Sequence, residues 1–331
     1  MDSFDEIELK SSQNYSTSPK LTNFLKKTQN LYYQGHLLDA LKLFSQNENL
    51  FLISLIHPLD RVKFLLEYGK LLVINIRNYQ PIEFSILKLK SALDLLLQFQ
   101  TQHPKISNSN DQIIFSLHAI ILDYIGFAHY FDAFKKPERN FEESIVWIEK
   151  SLKVQETLHL NEILSETLFH RGLIYEFSQN FEEAEYFYKE SCRLGSKLRK
   201  SYAFRHLSNL ALKQSKIEKA TGFMKQALDL RQEINFIFGV AYTHWGLGNL
   251  YVLSNKSSLA LKHYEEAISI STRINDYRCL MFVFDSLGDY YVKRGEYRYA
   301  IEAYQSGKET ASIINHQANM ENFRKKIVEI S

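Results

Sequence analysis

The chain has 331 residues, of which 45% are hydrophobic, 14% aromatic and 24% charged, with a formal net charge of +2. Twelve glycines and five prolines argue against sheets with tight turns, and a charge this close to zero gives no global field for nucleic acid or membrane. Two distant cysteines, Cys192 and Cys279, argue against a disulfide framework and against a zinc site, and the acidic start Met1-Asp-Ser-Phe-Asp-Glu6 lacks the apolar core of a secretory signal, so the expected location is cytoplasmic.

Residues 1–18 are polar and rich in Ser, Asn and Gln up to Ser18-Pro19, and read as a disordered tail. From Lys20 a helical pattern begins. Gly35 sits in a turn, and Ala40-x-x-x-Phe44 opens a second helix. Asn47-Glu-Asn49 and His57-Pro58 interrupt this pair, Asp60 to Asn78 is apolar-periodic, and Pro81 restarts the chain at the favoured first turn of a helix. Ser85-x-x-x-Leu89-x-x-Ala92 then gives a second degenerate pair. The clearest break in the chain runs from Thr101 to Asp111.

Ile113 to Phe134 is strongly apolar, but His118, Asp123, His129 and Asp132 interrupt it, which marks a buried helix and not a membrane span. Its partner helix carries Ser144-x-x-x-Ile148-x-x-Ser151. From Glu162 the pattern is regular. Gly172-x-x-Tyr175 pairs with Ala184-x-x-x-Tyr188, and Ser208-x-x-Ala211 pairs with Ala220-x-x-x-Met224-x-x-Ala227. The step from Ala184 to Ala220 is thirty-six residues, so one helix there is shorter. Leu247-Gly248-x-x-Tyr251 with Ala260-x-x-x-Tyr264-x-x-Ala267 then returns forty residues on, as Leu287-Gly288-x-x-Tyr291 with Ala300-x-x-x-Tyr304-x-x-Gly307. Such fixed-period self-similarity marks stacked helix pairs, each leaving apolar surface that the next pair covers. The final stretch, Gln317 to Ile330, sets Met320, Phe323, Ile327 and Ile330 on one side against Arg324, Lys325 and Lys326, the pattern of a polar-backed cap.

These residues resemble the tetratricopeptide-repeat (TPR) family, whose signature is W-x2-L-G-x2-Y followed by A-x3-F. The positions that carry the resemblance are Gly172, Tyr175, Ala184, Ala220, Leu247, Gly248, Tyr251, Ala260, Leu287, Gly288, Tyr291 and Ala300. Gly248 and Ala260 let two helix backbones approach, while Tyr251 and Tyr264 fill the space beside the contact. The resemblance implies an all-α, α-solenoid fold, a right-handed superhelix of helix-turn-helix repeats. It divides the chain into the tail 1–18, a degenerate TPR-like region 19–110, a TPR array 111–315 and a capping helix 316–331. The forty-residue period exceeds the family's usual length of about 34, and no proline follows Pro137. The simplest reading is a longer second helix running through Ala267–Ile274. Long repeats of this kind are similar to those of Pins-type spindle scaffolds, kinesin light chains and Rap-type bacterial peptide-sensing regulators.

In this family the first helix of each pair lines a concave groove. Opposite the packing stripe His244, Leu247, Gly248 and Tyr251, the helix at 241 carries Tyr242, Trp245, Asn249 and Val252, where a solvated face would be polar throughout. Equivalent positions are Tyr202, Arg205 and Asn209 one repeat earlier and Phe282, Asp285 and Asp289 one repeat later. Aromatic rings and arginine are typical of interaction surfaces, and asparagine matches both the C=O and the N–H of an extended peptide. The competing reading has the rings packed on neighbouring helices and the amides solvated. Arg205-x-x-x-Asn209 also fits the first element of the chaperone-binding carboxylate clamp, but Phe282 and Ser286 stand where that clamp needs a second basic pair.

Other signals point to no chemistry. Arg193, Lys197, Arg199, Lys200 and Arg205 cluster without the aromatic residues of a nucleic-acid module, and read as a solvated loop. His170 and His206 lack partners for a metal, and the pair Asp285 and Asp289 is too little for acid–base catalysis. No G-x-S-x-G, HExxH or P-loop occurs. The expectation is a non-catalytic scaffold or adaptor, without cofactor or metal, that binds a peptide segment of a partner protein in its groove. It involves neither nucleic acid nor membrane and sets no oligomeric state. The alternative is a Rap-like peptide-sensing receptor, which would bring an effector domain, and residues 1–100 show helices without a convincing helix-turn-helix.

Overall fold

The computed structural model describes residues 17–53, 55–74, 82–104, 112–155 and 161–331. The expected tail over 1–16, the restart at Pro81 and most of the break before Asp111 lie outside the described residues, as does the boundary at 110. Among the described residues there are fifteen helices and no strand. In chain order they are α1 (Pro19–Tyr33), α2 (Leu37–Leu52), α3 (Pro58–Ile74), α4 (Ile82–Gln102), α5 (Gln112–Lys135), α6 (Glu142–Gln155), α7 (Asn161–Phe177), α8 (Phe181–Leu194), α9 (Lys197–Lys213), α10 (Ile217–Glu233), α11 (Ile237–Leu253), α12 (Ser257–Arg273), α13 (Tyr277–Lys293), α14 (Tyr297–Ile313) and α15 (Gln317–Ile330). By packing the chain divides into two compact units. The first holds residues up to Tyr32 and His36–Ala203, the second Tyr33–Gly35 and Phe204–Ser331.

From α9 to α14 every helix has 17 residues, and every turn between them has three. The cause is one residue per turn. Ser215, Asn235, Asn255, Asn275, Gly295 and Asn315 recur every twenty residues, each with positive φ, from 53° to 72°. Glycine takes this left-handed conformation freely and asparagine more readily than other L-residues, so the helix ends there. The next residue's N–H closes the cap on the carbonyl five back: Phe236 to Arg231 at 2.8 Å, Lys256 to Tyr251 at 2.9 Å, Asp276 to Ser271 at 2.8 Å. The expected second helix does run on through Ala267 to Arg273, but it is no longer than the first. The extra length is shared equally, because the turn inside a repeat and the turn between repeats are the same device. The short helix expected between Ala184 and Ala220 is α8, with 14 residues.

Gly248 has a further role. A Cβ there would collide first with the ring of Tyr264. The same seat recurs sixteen residues apart elsewhere. A Cβ on Gly172 would lie 2.7 Å from Tyr188, one on Gly307 2.6 Å from Phe323, and one on Gly288 closer still to Tyr304. The repeat glycine thus makes room for an aromatic side chain from the following helix.

The first unit is held by two apolar clusters. One gathers Leu21, Phe44, Phe51, Phe64 and Tyr68, and the other runs from Leu59 through Leu89 and Leu96 to Ile121 and Ile125. The apolar helix α5 supplies much of the latter, as a core helix would. The second unit has smaller clusters in succession, around Leu247 with Ala260, Tyr264 with Val283, and Tyr304 with Phe323, the nearest-neighbour arrangement of a repeat array.

Candidate functional site

In the second unit, α11 and α13 are the first helices of their pairs. His244, Leu247, Gly248 and Tyr251 are buried, while Tyr242, Trp245, Asn249 and Val252 are half-buried on the other face. Arg205, Asn209, Phe282 and Asp285 are also half-buried, and Asp289 is exposed. The rings form a continuous row. Tyr33 meets Phe236 edge-on at 5.6 Å, Phe236 lies 6.2 Å from Phe238, and Phe238 lies 5.1 Å from Tyr242. Tyr242 is 6.4 Å from Trp245, which stacks on Phe282 at 5.3 Å. The Trp245 indole N–H donates to Ser286 Oγ at 2.9 Å, fixing the ring against α13.

The polar members are tied from behind. The Tyr264 hydroxyl donates to Asn249 Oδ1 at 2.7 Å, and the Tyr304 hydroxyl donates to Asp289 Oδ1 at 2.6 Å. Burial and the nearby Asp289 carboxylate hold both phenols well above the usual tyrosine range, so they remain donors. Lys326 of α15 places Nζ 2.7 Å from Asp285 Oδ1 and 2.7 Å from Asp289 Oδ1, with the Tyr304 ring 5.2 Å away. Burial works against its charge, but hydrogen bonds to the two carboxylates prevail and raise its pKa. Arg205 Nη2 is 2.6 Å from His206 Nε2.

Of the expected site residues, the structure joins Tyr242, Trp245 and Phe282 in one row, flanked by Asn249, Asp285 and Asp289. Tyr202 belongs to the first unit, where its hydroxyl lies 2.8 Å from that of Tyr32 and its ring 6.2 Å from Phe169. Sequence reasoning missed Phe236 and Phe238 as members of the row, although Phe238 stands about one turn before Tyr242 and Phe236 caps the same helix. It also missed the tyrosine hydroxyls that hold Asn249 and Asp289.

The first unit carries a polar network with no sequence signature. Arg199 on α9 donates to Glu166 on α7, and the Tyr124 hydroxyl of α5 donates to the same carboxylate at 2.7 Å. On α3, Lys70 pairs with Glu67 at 3.1 Å. His170 Nδ1 lies 2.8 Å from Asp123 Oδ2, both buried, with Phe127 stacked on the imidazole at 3.8 Å. Burial pushes the Glu166 pKa up, but Arg199, Lys70 and His170 pull it further down, to about 2. Two sequence readings change here. Arg199 is not in a solvated basic loop, and His170 has a carboxylate partner. Among the described residues, no group of three or more His, Cys, Asp or Glu is placed to hold a metal ion.

No family model and no curated protein matches the sequence. Among solved structures, BtubC (BKLC) from P. vanneervenii is similar at 17% identity, over 72% of this chain and 93% of that one, with a TM-score of 0.56. Aspartyl phosphate phosphatase F from Bacillus subtilis is similar at 12% identity over 95% and 80%, with a TM-score of 0.57. The apo form of RapI is similar at 12% identity over 90% and 99%, with a TM-score of 0.56. At these identities the likeness is one of fold. By fold, the described residues are all-α and of the α-solenoid class.

Proposed function

We propose that the chain is a non-catalytic adaptor that binds a peptide segment of another protein along the first helices of its C-terminal repeats. One observation carries this reading: half-exposed rings from Phe238 to Phe282 run unbroken across α11 and α13, beside the half-exposed Asn249 and Asp285 and the exposed Asp289. Aromatic rings give large contact area at low conformational cost, and they concentrate at protein–protein interfaces. Arg205 and Asn209 are the further residues proposed to touch the partner.

A second reading is a peptide-sensing receptor. It is favoured by the fold likeness to RapI and to aspartyl phosphate phosphatase F, which extends over 90% and 95% of this chain. Both readings place a peptide on the same face, and cytoplasmic location fits either.

The test is affinity purification with mass spectrometry, using the full chain beside Trp245→Ala. Proteins retained by the wild type and lost by the variant, with thermal melting little changed, support the reading. An identical set from both baits overturns it.

A further inference from the structure

The aromatic row ends in charge. Asp285 and Asp289 stand three and seven residues after Phe282 on α13, so both carboxylates continue the face that carries the ring. Their side chains are 36% and 50% exposed, and an ammonium group already sits between them. It belongs to Lys326 on the last helix, and the Tyr304 ring lies below it while the Tyr304 hydroxyl grips Asp289. Two carboxylates and an aromatic face are a seat for an alkylammonium or guanidinium group. The pairs are only partly buried, with Lys326 24% exposed, so solvent screens them and limits what they contribute to folding.

We infer that the segment bound on this row is apolar or aromatic in its centre and carries a lysine or arginine that replaces Lys326 between Asp285 and Asp289. The inference rests on the binding reading above and adds the partner's charge pattern to it. Lys326 is then an internal stand-in. The free protein keeps its carboxylates neutralised, and a partner lacking a basic residue must either leave Lys326 in place or bury two unpaired carboxylates beside it. Selectivity arises because an acidic residue at that position meets two like charges.

The experiment titrates the full chain with three fluorescein-labelled dodecapeptides that share one core of Leu, Pro and Phe. Each carries a flanking pair of Lys, Ser or Glu, and each is made with the pair at either end of the core. The expected order of affinity is Lys, then Ser, then Glu, with about tenfold between the extremes at low salt and less at high salt. Asp285→Asn combined with Asp289→Asn, which preserves shape and the acceptor for Tyr304, should bring the three within about threefold of one another. Lys326→Met should tighten the Lys peptide, because its competitor is gone. Binding by all three peptides with equal affinity, lost in Trp245→Ala, overturns the charge inference and leaves the groove reading standing. Failure of every peptide to bind overturns both.

Discussion

The Tyr264 hydroxyl donates to Asn249 Oδ1 at 2.7 Å, and the ring that carries it rests on Gly248, the residue just before that asparagine. One side chain therefore packs the repeat and orients a polar group on its opposite edge. Tyr304 does the same for Asp289 from its seat on Gly288. On the proposed binding reading, packing and recognition would not be separate sets of residues. The glycine admits the ring, the ring delivers the hydroxyl, and the hydroxyl fixes the side chain that a partner would meet.

The seat can be tested by adding one methyl group. Gly248→Ala places a Cβ against the Tyr264 ring and should cost about 1–3 kcal/mol through overpacking. Gly222 lies in α10 with nothing within 4 Å of an added Cβ. Gly222→Ala should therefore stabilise the helix by about 0.5–1 kcal/mol through backbone entropy alone. Denaturant unfolding of both variants, followed by circular dichroism, reads the opposite signs.

The turns have their own test. Gly295 has φ +72° and open space around it, so Gly295→Ala isolates the cost of a left-handed backbone, about 1–2 kcal/mol. Asn255, with φ 56°, should tolerate glycine and lose stability on substitution by valine, a β-branched residue. Amide hydrogen exchange at the C-terminal ends of α13 and α11 would locate the change.

Glu166 and Arg199 form a pair whose side chains are 19% and 14% exposed. Arg199→Met leaves a largely buried carboxylate without its strongest partner and should destabilise by about 3–5 kcal/mol. Adding Glu166→Gln should recover much of that loss, since the neutral amide no longer needs the cation. In the wild type the Glu166 pKa is depressed to about 2, so its contribution is complete above the ordinary carboxylate value. That contribution fades as pH falls from there towards 2.

His263 sets a milder acid limit on the second unit. Burial first, then the neighbouring His244 with its Nδ1 at 2.9 Å, lowers the His263 pKa to about 4. The unfolded chain takes up this proton near the ordinary value of 6.5, before the folded one does. Stability should therefore fall as pH drops from 6.5 to about 4, and stay level above that window. His263→Phe keeps a ring to stack on Tyr251 and should flatten that slope in urea titrations at several pH values.

The helix pairs of the second unit were legible because their determinants are local. Leu247, Gly248 and Tyr251 lie within two turns of one helix, and Ala260 and Tyr264 lie in the next. The equal helix lengths were written in Asn235, Asn255, Asn275, Gly295 and Asn315, but that spacing is visible only when φ, and not polarity, is the property being counted. Tyr242 and Phe282 were readable as candidate contacts from their face. Their link through Trp245, and the hold of Lys326 on Asp285 and Asp289, join residues about forty apart through side-chain rotamers that no periodicity records. The Glu166–Arg199 network is illegible for the same reason: each member looks like an ordinary surface charge until three other helices surround it.

One mould for every turn also governs how this chain tolerates gain or loss of length. Excising residues 257–296 joins Lys256 to Tyr297, so that α14 follows α11 directly. Tyr304 then falls where Tyr264 was, facing Gly248, and Ala300 falls where Ala260 was. Excising only 257–276 passes through an equally good turn, yet it brings Leu280 to the Ala260 position and Phe284 to the Tyr264 position. The backbone accepts steps of twenty residues, while the side chains accept only steps of forty.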